Sequence, residues 1–150
     1  LSMKKLVFLF AVSSSVLLTS FLDKSEPDFN EMAQDICDCV NESSDGISDK
    51  LKTLIIQSEE DNTDLEIALQ NYLIEDDSDS ATEDVINLVE LGEKMEICAA
   101  QIEEKYSTVY SNQSEEEIIK KLIGILKGKQ GCEFTYAIIQ LGVKAEESSE

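Results

Sequence analysis

The chain has 150 residues, with 32 acidic against 12 basic side chains and a formal net charge of -20. Every basic residue is lysine, and arginine, histidine and tryptophan do not occur. The length fits one domain. The charge balance argues against nucleic acid, which is bound through clustered Lys and Arg that release counterions. The missing imidazole excludes Ser-His-Asp and Cys-His nucleophiles and every His-ligated metal site.

Lys4-Lys5 lead into an apolar stretch from Leu6 to Leu22, interrupted by Ser13-Ser14-Ser15, after which the chain turns acidic. A positive start, an apolar run and then polar chain is the layout of a secretory signal, read here as residues 1–22. At 17 residues the run is at the short limit for a membrane span, so contact with a membrane is expected only through an uncleaved signal. Leu17-Leu18-Thr19-Ser20 resembles the start of a bacterial lipoprotein box, but Phe21 stands where the lipidated Cys would follow. Removing 22 residues takes away two lysines and no acids, leaving 10 lysines against 32 acids, or -22.

Residues 23–144 then read as one helical domain. Phe29, Met32, Ala33, Ile36 and Val40 draw the apolar stripe of a first helix. Pro27 suits its first turn, Asp28 and Glu31 its positive end, and Ser43 to Gly46 its stop. A second helix from about Ile47 carries Leu51, Leu54 and Ile55, and weakens over Ser58 to Asn62. Thr63 with Glu66 reads as a capping box for a third, bearing Leu65, Leu69, Tyr72 and Leu73. After the acidic loop Glu75 to Ser80, Ser80 with Glu83 reads as the box opening the longest helix, roughly 81–110. Its stripe is Val85, Leu88, Val89, Gly92, Met95, Ala99, Ile102, Tyr106 and Tyr110. Ser114 with Glu117 caps a fifth helix bearing Ile118, Ile119, Leu122, Ile123 and Leu126, with Gly128 as its stop. From Cys132 to Leu141, Phe134, Ala137, Ile138 and Leu141 share one helical face, although β-branched and aromatic content keeps a strand in play. Residues 145–150 read as a disordered acidic tail. The expected fold is all-α, a disulfide-stapled antiparallel bundle of five or six helices.

Cys37, Cys39, Cys98 and Cys132 all follow the signal, and an even number in an exported chain reads as two disulfides. Cys37 and Cys39 lie about 200° apart around the first helix, so they diverge and cannot bond to each other. Two pairings remain open: Cys37–Cys98 with Cys39–Cys132, or Cys37–Cys132 with Cys39–Cys98. A zinc site would want short-spaced cysteine pairs at both ends, and a Cys-Asp-Cys redox or copper centre leaves the two distant cysteines unexplained.

Other motifs fail on inspection. Asn41 to Gly46 imitates the start of a calcium loop, but Lys52 occupies the position that requires a bidentate Glu. The loop Asp76-Asp77-Asp79 offers at most weak cation association. No Ser-x-x-Lys, Gly-x-Ser-x-Gly or phosphate-loop pattern occurs, so no catalytic residue, metal ligand or cofactor is assigned. The sequons at Asn41 and Asn112 carry no weight behind a bacterial signal. Tyr106, Val109 and Tyr110 fit core packing better than a ligand pocket.

Ile36-Cys37-Asp38-Cys39 early in the chain, with Cys98 shortly before Lys105-Tyr106, resembles a loose group of short exported helical proteins of Gram-negative bacteria. The resemblance covers residues 28 to 141 and implies an envelope protein without supplying catalytic residues. The expectation is a non-enzymatic periplasmic or secreted protein, acting through protein contacts or as an envelope component. Cations or basic proteins are its natural electrostatic partners. The alternative is a carrier of a small apolar ligand in a cavity between helices.

Overall fold

Side-chain caps open α-helices at Asp28, Ser48, Asp64, Ser78 and Ser114, five of the seven helices among the described residues. The computed structural model describes residues 28–76 and 78–147, which form seven α-helices and no strand. Residues 1–27, which include the expected signal and Pro27, together with Asp77 and the last three residues lie outside the described residues. Helix α1 (Phe29–Ser43) starts at Asp28, whose carboxylate accepts from the Asn30 and Glu31 amides. Ser48 opens α2 (Asp49–Glu60) by accepting from the Leu51 amide. Asp64 opens α3 (Leu65–Glu75), and Ser78 opens α4 (Asp79–Lys105). After the short α5 (Ser107–Asn112), Ser114 and Glu117 form a reciprocal capping box on α6 (Glu115–Leu126). The last helix is α7 (Glu133–Glu147). Each cap satisfies amides that no intrahelical carbonyl can reach.

Two capping assignments move. Asp64 caps α3 in place of Thr63, whose own amide is bonded to the Ser58 carbonyl. Ser78 displaces Ser80, which lies within α4. In both cases a strong capping residue stands next to or near the expected one and wins on position. The segment expected to be one helix over 81–110 divides at Tyr106, which ends α4 and precedes α5. Its backbone (φ -108, ψ 28) is non-helical, and the run Ser107-Thr108-Val109 has little helix propensity to resist the turn. That division yields seven helices rather than five or six. The α6 stop comes at Leu126, and the left-handed residue is Gly131 (φ 82) rather than Gly128.

The C-terminal segment is helical, not a strand, and it continues three residues into the stretch expected to be a disordered tail. Phe134, Ala137 and Ile138 are buried, with Leu141 packed beside them, which is helical spacing. Thr135 is also fully buried, and its hydroxyl has no hydrogen-bond partner among the described residues.

Helix α1 occupies the middle, packed against α4, α6 and α7, while α2 packs on α7 and α3. Met32, Ala33, Ile36 and Val40 are buried along it, joined by Leu51, Ile55, Leu91, Ile118, Leu122 and Leu126. Both disulfides leave α1. Cys37 bonds Cys132 at the head of α7, with Cα atoms 5.5 Å apart, and Cys39 bonds Cys98 in α4, at 5.9 Å. These separations suit unforced disulfides. They close loops of 95 and 59 residues, each removing about 4 kcal/mol of unfolded-state entropy in the chain-entropy model. Of the two pairings open from sequence, the second is present.

Cleavage before Asp38 separates the two α1 cysteines. Mapped without reduction, the residues up to Cys37 should travel with the Cys132 peptide, and the Cys39 peptide with Cys98. The crossed pairing, or free thiols, would contradict the structure.

Candidate functional site

Three features concentrate chemistry on this bundle: the cystines, two buried or half-buried aspartate clasps, and an exposed apolar surface. The Cys37–Cys132 bridge is buried, and Asn41, one turn along α1, donates from Nδ2 to the Gly131 carbonyl at 3.0 Å. Gly131 can present that carbonyl because its positive φ carries no Cβ penalty. Asn41 and Ser43, read as the opening of an imitation calcium loop, are helical residues of α1. Asn41 serves the staple instead. Among the described residues no group of three or more His, Cys, Asp or Glu is arranged to hold a metal ion.

The first clasp centres on Asp84 of α4, which is 6 % exposed. Its carboxylate accepts from the Ser48 amide at 2.9 Å, from the Ser48 hydroxyl, and from the Tyr72 hydroxyl at 2.7 Å. One side chain thereby fixes the start of α2, the end of α3 and the first turns of α4. Burial pushes the Asp84 carboxyl up, but the donors from Ser48 and Tyr72 outweigh it and hold the group below the ordinary 3.8. Burial and the bond to Asp84 push Tyr72 up. Lys50 closes the edge, bonded to Asp76 at 2.7 Å and lying 5.0 Å from the Tyr72 ring centre. The bond to Lys50 holds the Asp76 carboxyl down to about 2; Asp77 lies outside the described residues.

The second clasp joins α1 to the α4–α5 corner. Lys105 bonds Asp35 at 2.6 Å and Glu31 at 2.9 Å, and the Tyr106 hydroxyl donates to the same Asp35 oxygen at 2.6 Å. Burial and that bond push the Tyr106 phenol up to about 12. The corner that divides α4 from α5 is therefore tied down where it turns. Tyr106 and Val109 are buried, in keeping with core packing, and Tyr110 is half-buried, its hydroxyl without a partner among the described residues.

Clefts on the described surface include two between charged helix faces. One, about 490 Å³ between α2 and α7, is lined by Glu59, Glu60, Lys127, Glu133 and Lys144 around Tyr136. The other, about 260 Å³ beside Cys39, is lined by Asp35, Asp38, Glu42 and Lys105. Charged side chains make up about half of each lining, with Ile56, Tyr136 and Ala137 among the rest of the first and Gln101 and Ile102 completing the second. The apolar surface lies elsewhere: Ile67, Leu73, Ile74, Ile86, Val89 and Ile97 are exposed, all on α3 and α4. Leu73 and Val89 were expected to face inward, but the inner face of α4 runs through Asp84, Leu91, Cys98 and Ile102. An inward acid at position 84 shifts the buried stripe off Val89.

No protein-family model, curated protein or solved structure matches the chain.

Sequence reasoning missed Asp84 because an acid was assumed to face water. One signal was present: Asp84, Leu88, Leu91, Met95, Cys98 and Ile102 recur at helical spacing, with one acid among apolar residues. Asp84→Asn should cost about 2–3 kcal/mol near neutrality, the worth of hydrogen bonds to a charged acceptor. Because the folded carboxyl titrates below 3.8, its contribution is complete above that value and disappears as pH falls through the lowered pKa. Urea midpoints from about pH 7 down to about pH 2 should show the two chains converging in acid. A gap unchanged with pH would contradict the clasp.

Proposed function

We propose that the protein is exported, loses residues 1–22, and acts in the periplasm or exterior through contacts with other proteins, as an envelope component without catalysis. The observation that carries this is the placement of the exposed apolar side chains. Scattered singly they would be ordinary surface; among the described residues the six large ones all lie on two consecutive helices packed together. Export is supported by the signal layout and by the engagement of all four cysteines in disulfides, which persist in oxidising compartments. Among the described residues no helix is long and apolar enough to cross a membrane. The charged linings of both clefts weigh against an apolar cargo.

A photo-crosslinker placed in turn at Ile74, Glu96, Lys120 and Glu133 samples four sides of the bundle in the producing cells. The exported chain, recovered without its leader, should give a discrete larger adduct from at least one position. Retention in the cytoplasm, or no adduct from any position, would overturn the proposal.

A further inference from the structure

The outward face of α4 has a composition that selects its partner. Ile86, Glu93 and Ile97 are seven and eleven residues apart, so they fall within about 20° of one line along the helix. That line is opposite the buried Leu91, Cys98 and Ile102. Ile86 is 52 % exposed, Ile97 62 %, and Val89, on the edge of the row, 54 %. Glu90, Glu93 and Glu104 stand exposed within the same row. Over about 16 Å from Ile86 to Ile97 the face interleaves branched apolar side chains with Glu90 and Glu93, and Glu104 follows about 10 Å further along. Helices α3 and α4 together carry ten acids and two lysines, and one of those, Lys105, is already bonded to Glu31 and Asp35 of α1.

Resting on the proposal of protein contacts above, we infer that this face docks a basic amphipathic helix of a partner protein. Apolar anchors of such a helix at i, i+3, i+4 and i+7 would cover Ile86, Val89 and Ile97, while its lysines or arginines meet Glu90, Glu93 and Glu104. A second copy is the poorer occupant, because it would bring another acidic face against this one in a chain of net charge -20. Anionic lipid is disfavoured for the same reason. Charge complementarity steers the partner and the isoleucine row selects an amphipathic arrangement over mere basicity.

The test uses the oxidised chain and two labelled peptides of leucine and lysine, about 18 residues long and identical in composition. One gathers its leucines on a single helical face; the other disperses them. Fluorescence anisotropy should show the patterned peptide binding about tenfold tighter or more. The I86Q/I97Q variant should erase that preference without changing charge or fold, since both side chains face solvent. E90Q/E93Q should weaken both peptides and flatten their salt dependence. Equal binding of the two peptides, or a preference that survives I86Q/I97Q, would overturn the docking face. Self-association of the native chain that I86Q/I97Q abolishes would assign the face to a second copy and overturn the basic partner. A cellular adduct formed only from Lys120 or Glu133 would remove this surface while leaving the protein-contact proposal standing. No adduct anywhere would remove both.

Discussion

Two cysteines set two positions apart on one helix cannot face the same neighbour, and the rest of this fold follows from that constraint. Cys37 reaches inward to the head of α7 and Cys39 reaches sideways to α4. With α1 in the middle, each bridge fixes one neighbour, so three helices separated by long stretches of chain become one covalent unit. A chain with 32 acids against 12 lysines repels itself when compact, and its core is modest. Crosslinks that restrict the unfolded chain offset that disadvantage without requiring more buried apolar surface.

The acids are not distributed uniformly in their roles. Asp84 is buried and accepts three hydrogen bonds from two helices' ends, so one carboxylate replaces what would otherwise be a packed apolar contact. Asp35 does the equivalent for the corner at Tyr106. Most other carboxylates remain in water, and those on α4 alternate with isoleucines on its outer face. An acidic, partly apolar helix face fixed from behind by a disulfide and a clasp would pay little ordering cost in the docking proposed for it.

The helical class, the α1 stripe, the Ser114–Glu117 box and the exclusion of a Cys37–Cys39 bridge were legible because each depends on local spacing. The pairing itself was not, since choosing between Cys98 and Cys132 depends on how α4 and α7 flank α1. Local periodicity also could not show the division at Tyr106, where a low-propensity run meets a side chain held by Asp35 from another helix. Asp84 was hidden by its type: its burial depends on Ser48 and Tyr72, which only the fold brings to it. The outward position of Val89 follows from the same error, because placing Asp84 inside rotates the stripe. Helix α7 runs beyond the expected boundary, through Ala145 to Glu147, where Ala and Glu are good helix formers.

The central claim is that the two bridges from α1 hold this acidic bundle together. Urea unfolding followed by circular dichroism, on the oxidised chain and on the chain reduced and capped at its four thiols, tests it most directly. Reduction should remove about 4 kcal/mol or more, leaving the capped chain largely unfolded even without denaturant. A reduced chain that keeps its helical signal and unfolds at the same urea concentration as the oxidised one would contradict it.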